Sequence, residues 1–189
     1  TDHAERVSED AAALGRELEA RLNRIENDRT RNPLEKLPMR QKAAQDAKQR
    51  LDRTMALAYR FGVERAEEAQ KARQRDLMPS ETNLSAMTLA QTLLSKSPAE
   101  IKKLAMIDPR FAQAANYYPP EAFGLKREEH AEMMNKAWER HYPEKAQIEQ
   151  AAIDELKALD TLTRNVGGYC DIEIAQCEQG LQSAGRVED

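Results

Sequence analysis

Glycine and β-branched residues are scarce: the 189 residues contain 7 Gly, and Val and Ile together number 11. That is too little for a β-sandwich or a doubly wound sheet with glycine-rich turns. Two Cys cannot make a disulfide framework. If Cys170 and Cys177 share a helix, they lie about 10 Å apart along its axis. A disulfide spans only ~4.4–6.8 Å between Cα atoms, so free thiols in a reducing compartment are expected. No apolar run approaches the ~18 residues of a transmembrane helix, so no membrane partner is expected. Thr1–Arg6 shows no basic head followed by an apolar stretch. A cytoplasmic protein, or one held in a particle assembled inside the cell, is the expectation. Motifs for chemistry are missing too: there is no P-loop, no G-x-G-x-x-G, no G-x-S-x-G and no C-x-x-C pair.

What the chain has is Ala and charge. Ala supplies 29 residues, and 33% of the chain is Asp, Glu, Lys or Arg, with a net charge of -4. Residues 1–75 carry 17 basic and 14 acidic residues, whereas residues 76–189 carry 12 and 19. Aromatics follow the same division. Tyr59 and Phe61 are in the front; Phe111, Tyr117, Tyr118, Phe123, Trp138, Tyr142 and Tyr169 are behind. A charged, Ala-rich rod therefore precedes the bulky core material.

Apolar residues in the front recur with helical spacing. Val7, Ala11, Leu14, Leu18, Leu22 and Ile25 form one stripe, and a helix over about 5–31 is predicted. Asn32-Pro33 should end it, with 33–38 as a short turn. A second helix over about 39–75 carries Ala44, Ala47, Leu51, Met55, Ala58, Gly62, Ala66 and Ala69. Both stripes repeat every eleven residues, a period that favours nearly straight helices. The short turn makes the pair antiparallel. Leu14, Leu18, Leu22, Leu51, Met55 and Gly62 are the expected helix–helix interface. Small residues bury little area, so such a hairpin is under-stabilised alone and should pack on the rest of the chain, a second copy or a partner.

Pro79 is the expected boundary between a hairpin over 1–78 and a compact helical domain over 79–189, although the two could pack as one unit. Beyond it, Leu84–Leu94 reads as a helix with Leu84, Met87, Ala90 or Gln91, and Leu94 inward. Ser97-Pro98-Ala99-Glu100 is a capping box with Pro at the first helical position. Asp108-Pro109 repeats the device. Tyr117-Tyr118-Pro119-Pro120 reads as an extended corner. Helices should follow over about 126–141 and 143–166, the latter capped by Gly167-Gly168. A last helix should turn Cys170, Ile174, Cys177 and Leu181 to one face. The predicted class is all-α: a long antiparallel hairpin followed by a smaller multi-helix bundle.

Three groups of side chains invite chemistry. His130 and His141 are eleven residues apart, whereas two ligands of one metal on a helix need a spacing of three or four. They read better as a solvated residue and a cation at a helix end. Cys170 and Cys177 have acidic neighbours, which raise a thiol's pKa and do not activate it. The 40–75 helix has ten basic and five acidic residues. Arg50, Arg53 and Arg60 are thus candidates for gripping phosphates, but acids are interleaved and stacking aromatics are almost absent. Tyr117, Tyr118 and Phe123 read first as rings that cap the core between Phe111 and Trp138, and second as candidates for docking a partner, because such rings bring large area with few rotors. No cofactor, metal or catalytic residue is assigned. The leading expectation is a non-enzymatic structural or interaction protein: an assembly, scaffold or adaptor component of a larger complex, virus and phage particles included. A protein partner or self-association is expected. A nucleic-acid-binding module is the alternative, and a small metal-dependent enzyme a weaker one.

Overall fold

In a computed structural model the chain is all-α, and residues 2–79 and 84–185 are described. The helices are α1 (Asp2–Glu26), α2 (Pro33–Leu77), α3 (Leu84–Leu93), α4 (Pro98–Ile107), α5 (Pro109–Ala115), α6 (Arg127–His141), α7 (Pro143–Leu162) and α8 (Gly168–Gly185). A 3-10 turn spans Pro120–Phe123, and a π-helical turn over Thr163–Gly167 joins α7 to α8. Among the described residues there is no strand, and no helix is long and apolar enough to cross a membrane.

Contacts group the chain into two compact units, one of residues 1–63 with 154–189, the other of residues 64–153. These limits differ from a division at Pro79. The reason is that α2 and α7 each contribute one part to each unit, so the end of the chain rejoins its beginning.

The first unit is a three-helix arrangement. All six stripe residues of α1 are buried, as are Ala44, Ala47, Leu51, Met55 and Ala58 along α2. Ion pairs set α1 antiparallel to α2, because partner numbers fall as the others rise: Glu17 with Arg50, Arg21 with Asp46, Glu26 with Arg40. The third helix is α8 with the end of α7, also antiparallel to α2. A Cβ on Gly62 would meet Leu156 at 2.7 Å, and one on Gly180 would meet Leu37 at 2.9 Å. Glycine at these two positions therefore permits the close approach. The hairpin's thin core is completed by Leu159 and Cys170.

Local chemistry corrects three expectations here. The connection from α1 is residues 27–32, not 33–38. Asn32 Oδ1 accepts from the Glu35 N–H at 2.8 Å, and Glu35 accepts from the Asn32 N–H at 2.9 Å. This capping box starts α2 with Pro33 in its first turn, where a missing N–H costs nothing. Pro38 also lies inside α2, close to its N-terminus. Gly167-Gly168 is not a cap: Gly168 has φ -60° and ψ -38°, and the helix runs on into α8. The inward face of α8 is Cys170, Glu173 and Cys177, with Leu181 36% exposed. Glu173 is tolerated there because Arg40 reaches it at 2.7 Å.

The second unit is built from shorter helices around Leu93, Ile101, Phe123, Met133, Met134 and Trp138. Its starts are those the sequence announces. Ser97 caps α4 with Glu100 completing the box, and Asp108 accepts from the Arg110 N–H at the start of α5. In α3 the inward residues are Ala86, Ala90 and Leu93, while Leu84 and Leu94 face outward. Their expected burial is thus corrected: alanines let α3 lie close against α5, and the outer leucines are left over. Gly124, at φ 66°, is a left-handed residue that closes the 3-10 turn.

Candidate functional site

Five of the six residues expected at a helix–helix interface share one core, and the sixth faces a different helix. Leu14, Leu18, Leu22, Leu51 and Met55 belong to one buried cluster. Gly62 is buried further along α2 against α7, under Leu156 and Leu159.

In the aromatic corner the core-capping reading fits better than docking. Phe123 is 3% exposed and belongs to the core of its unit. It is no surface anchor, because the 3-10 turn folds it inward. Tyr117 and Tyr118 meet edge to face at 5.2 Å, and Tyr118 lies 6.1 Å from Phe123. Both tyrosines are half-buried and pack against that core.

The basic face of α2 is extensively paired with acids of its own unit. Arg50 donates to both oxygens of Glu17 at 3.0 Å, Lys48 pairs with Asp171, and Arg40 pairs with Glu26 and Glu173. Arg53 and Arg60 are exposed.

The histidines are tied to backbone. His130 Nε2 lies 3.1 Å from the Ala115 carbonyl, and His141 Nε2 lies 2.8 Å from the Ala105 carbonyl. Both are half-buried staples between helices, a role their sequence neighbourhood does not show. Among the described residues no group of three or more His, Cys, Asp or Glu is placed to hold a metal ion. Cys170 and Cys177 are free and buried. Burial raises both thiol pKa values, with Asp171 adding to the effect at Cys170 and Glu173 at Cys177. Such thiols are poor nucleophiles at neutral pH.

A feature missed at the sequence level lies within the second unit. The last turns of α2, the middle of α6 and the start of α7 enclose a trough with two lobes. One lobe, about 490 Å³, includes Gln70, Leu77, Met78, Met134 and Ile153 in its wall. The other, about 440 Å³, is lined by Trp138, Glu139, Pro143, Ala146 and Gln147 among others. Arg73, Asn135, Glu149 and Ile153 line both.

Arg73 organises the saddle between the lobes. It donates to Asn135 Oδ1, reaches the Glu149 carboxylate at 3.4 Å and lies 6.0 Å from the centre of the Trp138 ring. Tyr142 lies against Trp138 at 5.1 Å. The indole Nε1 is buried with no acceptor. Arg73, Asn135 and Glu149 are too far apart in sequence for any local pattern to announce them. The chain matches no known protein family, no curated protein and no solved structure.

Proposed function

We propose that this chain is a non-enzymatic interaction protein: a helical assembly, scaffold or adaptor component of a larger complex, such as a virus or phage particle. It acts through a protein partner or further copies of itself. The supporting observation is the set of large apolar side chains on outer faces of the long helices. Leu57 and Phe61, one turn apart on α2, are 61% and 50% exposed, and Tyr169 and Ile172 on α8 are 42% and 59% exposed. Apolar pairs at helical spacing are the form in which one helix presents itself to another. Two thiols that stay free and buried suit a reducing setting, the cytoplasm or a particle assembled there.

Light scattering coupled to size exclusion, over a hundredfold concentration range and at two salt concentrations, tests this. An oligomer that weakens in Leu57→Ser/Phe61→Ser supports self-association through that face. A strict monomer that captures nothing from its native lysate overturns the reading. The nucleic-acid alternative has less behind it, because Arg50, Lys48 and Arg40 already face carboxylates. Salt-sensitive binding of duplex DNA at low ionic strength, lost in Arg50→Glu/Arg53→Glu/Arg60→Glu, would reverse that ranking.

A further inference from the structure

The trough in the second unit has an unbalanced chemistry. Glu149 is largely removed from water, with 15% of its side chain exposed. Its two oxygens receive one guanidinium nitrogen of Arg73, at 3.4 and 3.5 Å. A carboxylate accepts about four hydrogen bonds, so this one is under-supplied for its degree of burial. The other arm of Arg73 goes to Asn135. Glu139 sits on the exposed rim of the same lobe, so the charged lining is two carboxylates to one guanidinium. The first lobe is mainly apolar, with Met78 and Ile153 53% and 37% exposed, whereas the second sets Pro143 and Ala146 among polar side chains such as Gln147.

We infer that this trough seats a segment of another protein that places a lysine or arginine between apolar side chains. The basic group joins Glu149 from the open side while Arg73 keeps its bond to Asn135. Apolar neighbours cover Ile153 in one direction and Ala146 and Pro143 in the other. A nucleic acid or an acidic peptide would bring more negative charge to Glu139 and Glu149 and is disfavoured. The inference rests on the reading of the chain as an interaction protein and names the chemistry of one partner.

Trp138 is the chain's single tryptophan and lines one lobe of the trough beside Arg73, so its emission reports a change of surroundings there. The full chain is titrated with a short helical peptide of leucine and lysine, and with the same peptide carrying glutamate in place of lysine. A saturable change in Trp138 emission with the lysine peptide is expected, at least tenfold weaker with the glutamate peptide. Glu139→Gln, an exposed change whose neighbouring charge Lys136 keeps its bond to Glu132, should weaken it several-fold, and Ile153→Asp about tenfold or more. Glu149→Gln should weaken it most, provided its far-ultraviolet circular dichroism is unchanged. Glu178→Gln, on α8, should leave it unaltered. No emission change with either peptide, a preference for the glutamate peptide, or equal binding by Glu139→Gln and Ile153→Asp would each overturn the proposal. Concentration-dependent assembly in the light-scattering experiment would still stand after any of these failures, so the broader reading and this one fail separately.

Discussion

The two units solve the same problem, burying an apolar face with few large residues, by different means. In the first, the core is one continuous stripe of Leu, Ala and Met along three long helices. Specific polar links lie along its edges, Glu17–Arg50, Lys48–Asp171 and Arg40–Glu173. In the second, short helices are started by caps and tied to each other's carbonyls by His130 and His141, around a core with Trp138 and Phe123. The lesson is that helix length substitutes for side-chain size. A long helix repeats a small contact many times, whereas a short one needs a bulky anchor and a defined start. Single substitutions should therefore be felt more sharply in the second unit, unless they strand a buried charge in the first.

The largest effect expected in the second unit is from Trp138→Ala, which removes a ring 2% exposed and should cost about 3–5 kcal/mol. Hydrogen exchange should show the lost protection in residues 84–153 first, and uniform loss along the chain would break the comparison. Arg40→Met should cost a similar ~3–5 kcal/mol in the first unit, since it leaves the Glu173 carboxylate buried and unpaired. The double variant Arg40→Met/Glu173→Met should recover most of it, as urea midpoints would show. A smaller loss, about 1 kcal/mol, is expected from Ser97→Ala, which removes the cap of α4. Exchange at the first amides of α4 should register that loss before any other site.

Solution pH should act on particular caps and thiols. Hydrogen bonds from Ser97 hold the Glu100 carboxyl below its ordinary value, and those from Arg110 do the same for Asp108. Folded-state pKa values below the unfolded ones mean stability that is present above the ordinary 4.5 and 3.8 and lost as pH falls through the folded values. Cys170 and Cys177 are shifted the other way by burial. Their contribution is present below the ordinary 9.0 and declines as pH rises above it towards the folded values. Hydrogen exchange at matched intrinsic rates should therefore find acid loosening at the starts of α4 and α5 and alkaline loosening around Cys170 and Cys177.

Much of the fold was legible from local pattern. The stripe from Val7 to Ile25 is buried at each of its six positions, and the helix starts at Pro98 and Pro109 follow from their caps. Asn32-Pro33-Leu34-Glu35 carries the same signal, yet Pro33 reads as a terminator when only the preceding helix is considered. Gly167-Gly168 reads as a cap because nothing local says that a π turn will carry the helix through. Burial of Glu173 in place of Ile174 depends on Arg40, 133 residues away, and no periodicity contains that information. The trough is less legible still. Arg73, Asn135 and Glu149 lie on separate helices, each in an ordinary charged stretch. Conversely, the Tyr117–Phe123 cluster is conspicuous in sequence, but Phe123 belongs to the core, because aromatic clusters fill interiors as readily as they dock partners.

Both thiols fall in the first unit and the lone indole in the second. The molecule thus contains two native reporters that never overlap. During denaturant titration, thiol accessibility to a colorimetric reagent follows one unit while indole emission follows the other. If the two curves coincide, α2 transmits unfolding along its length as a single cooperative rod. If they separate, the same helix is a flexible axle between independently melting bodies, and the midpoint of each can be tuned without touching the other.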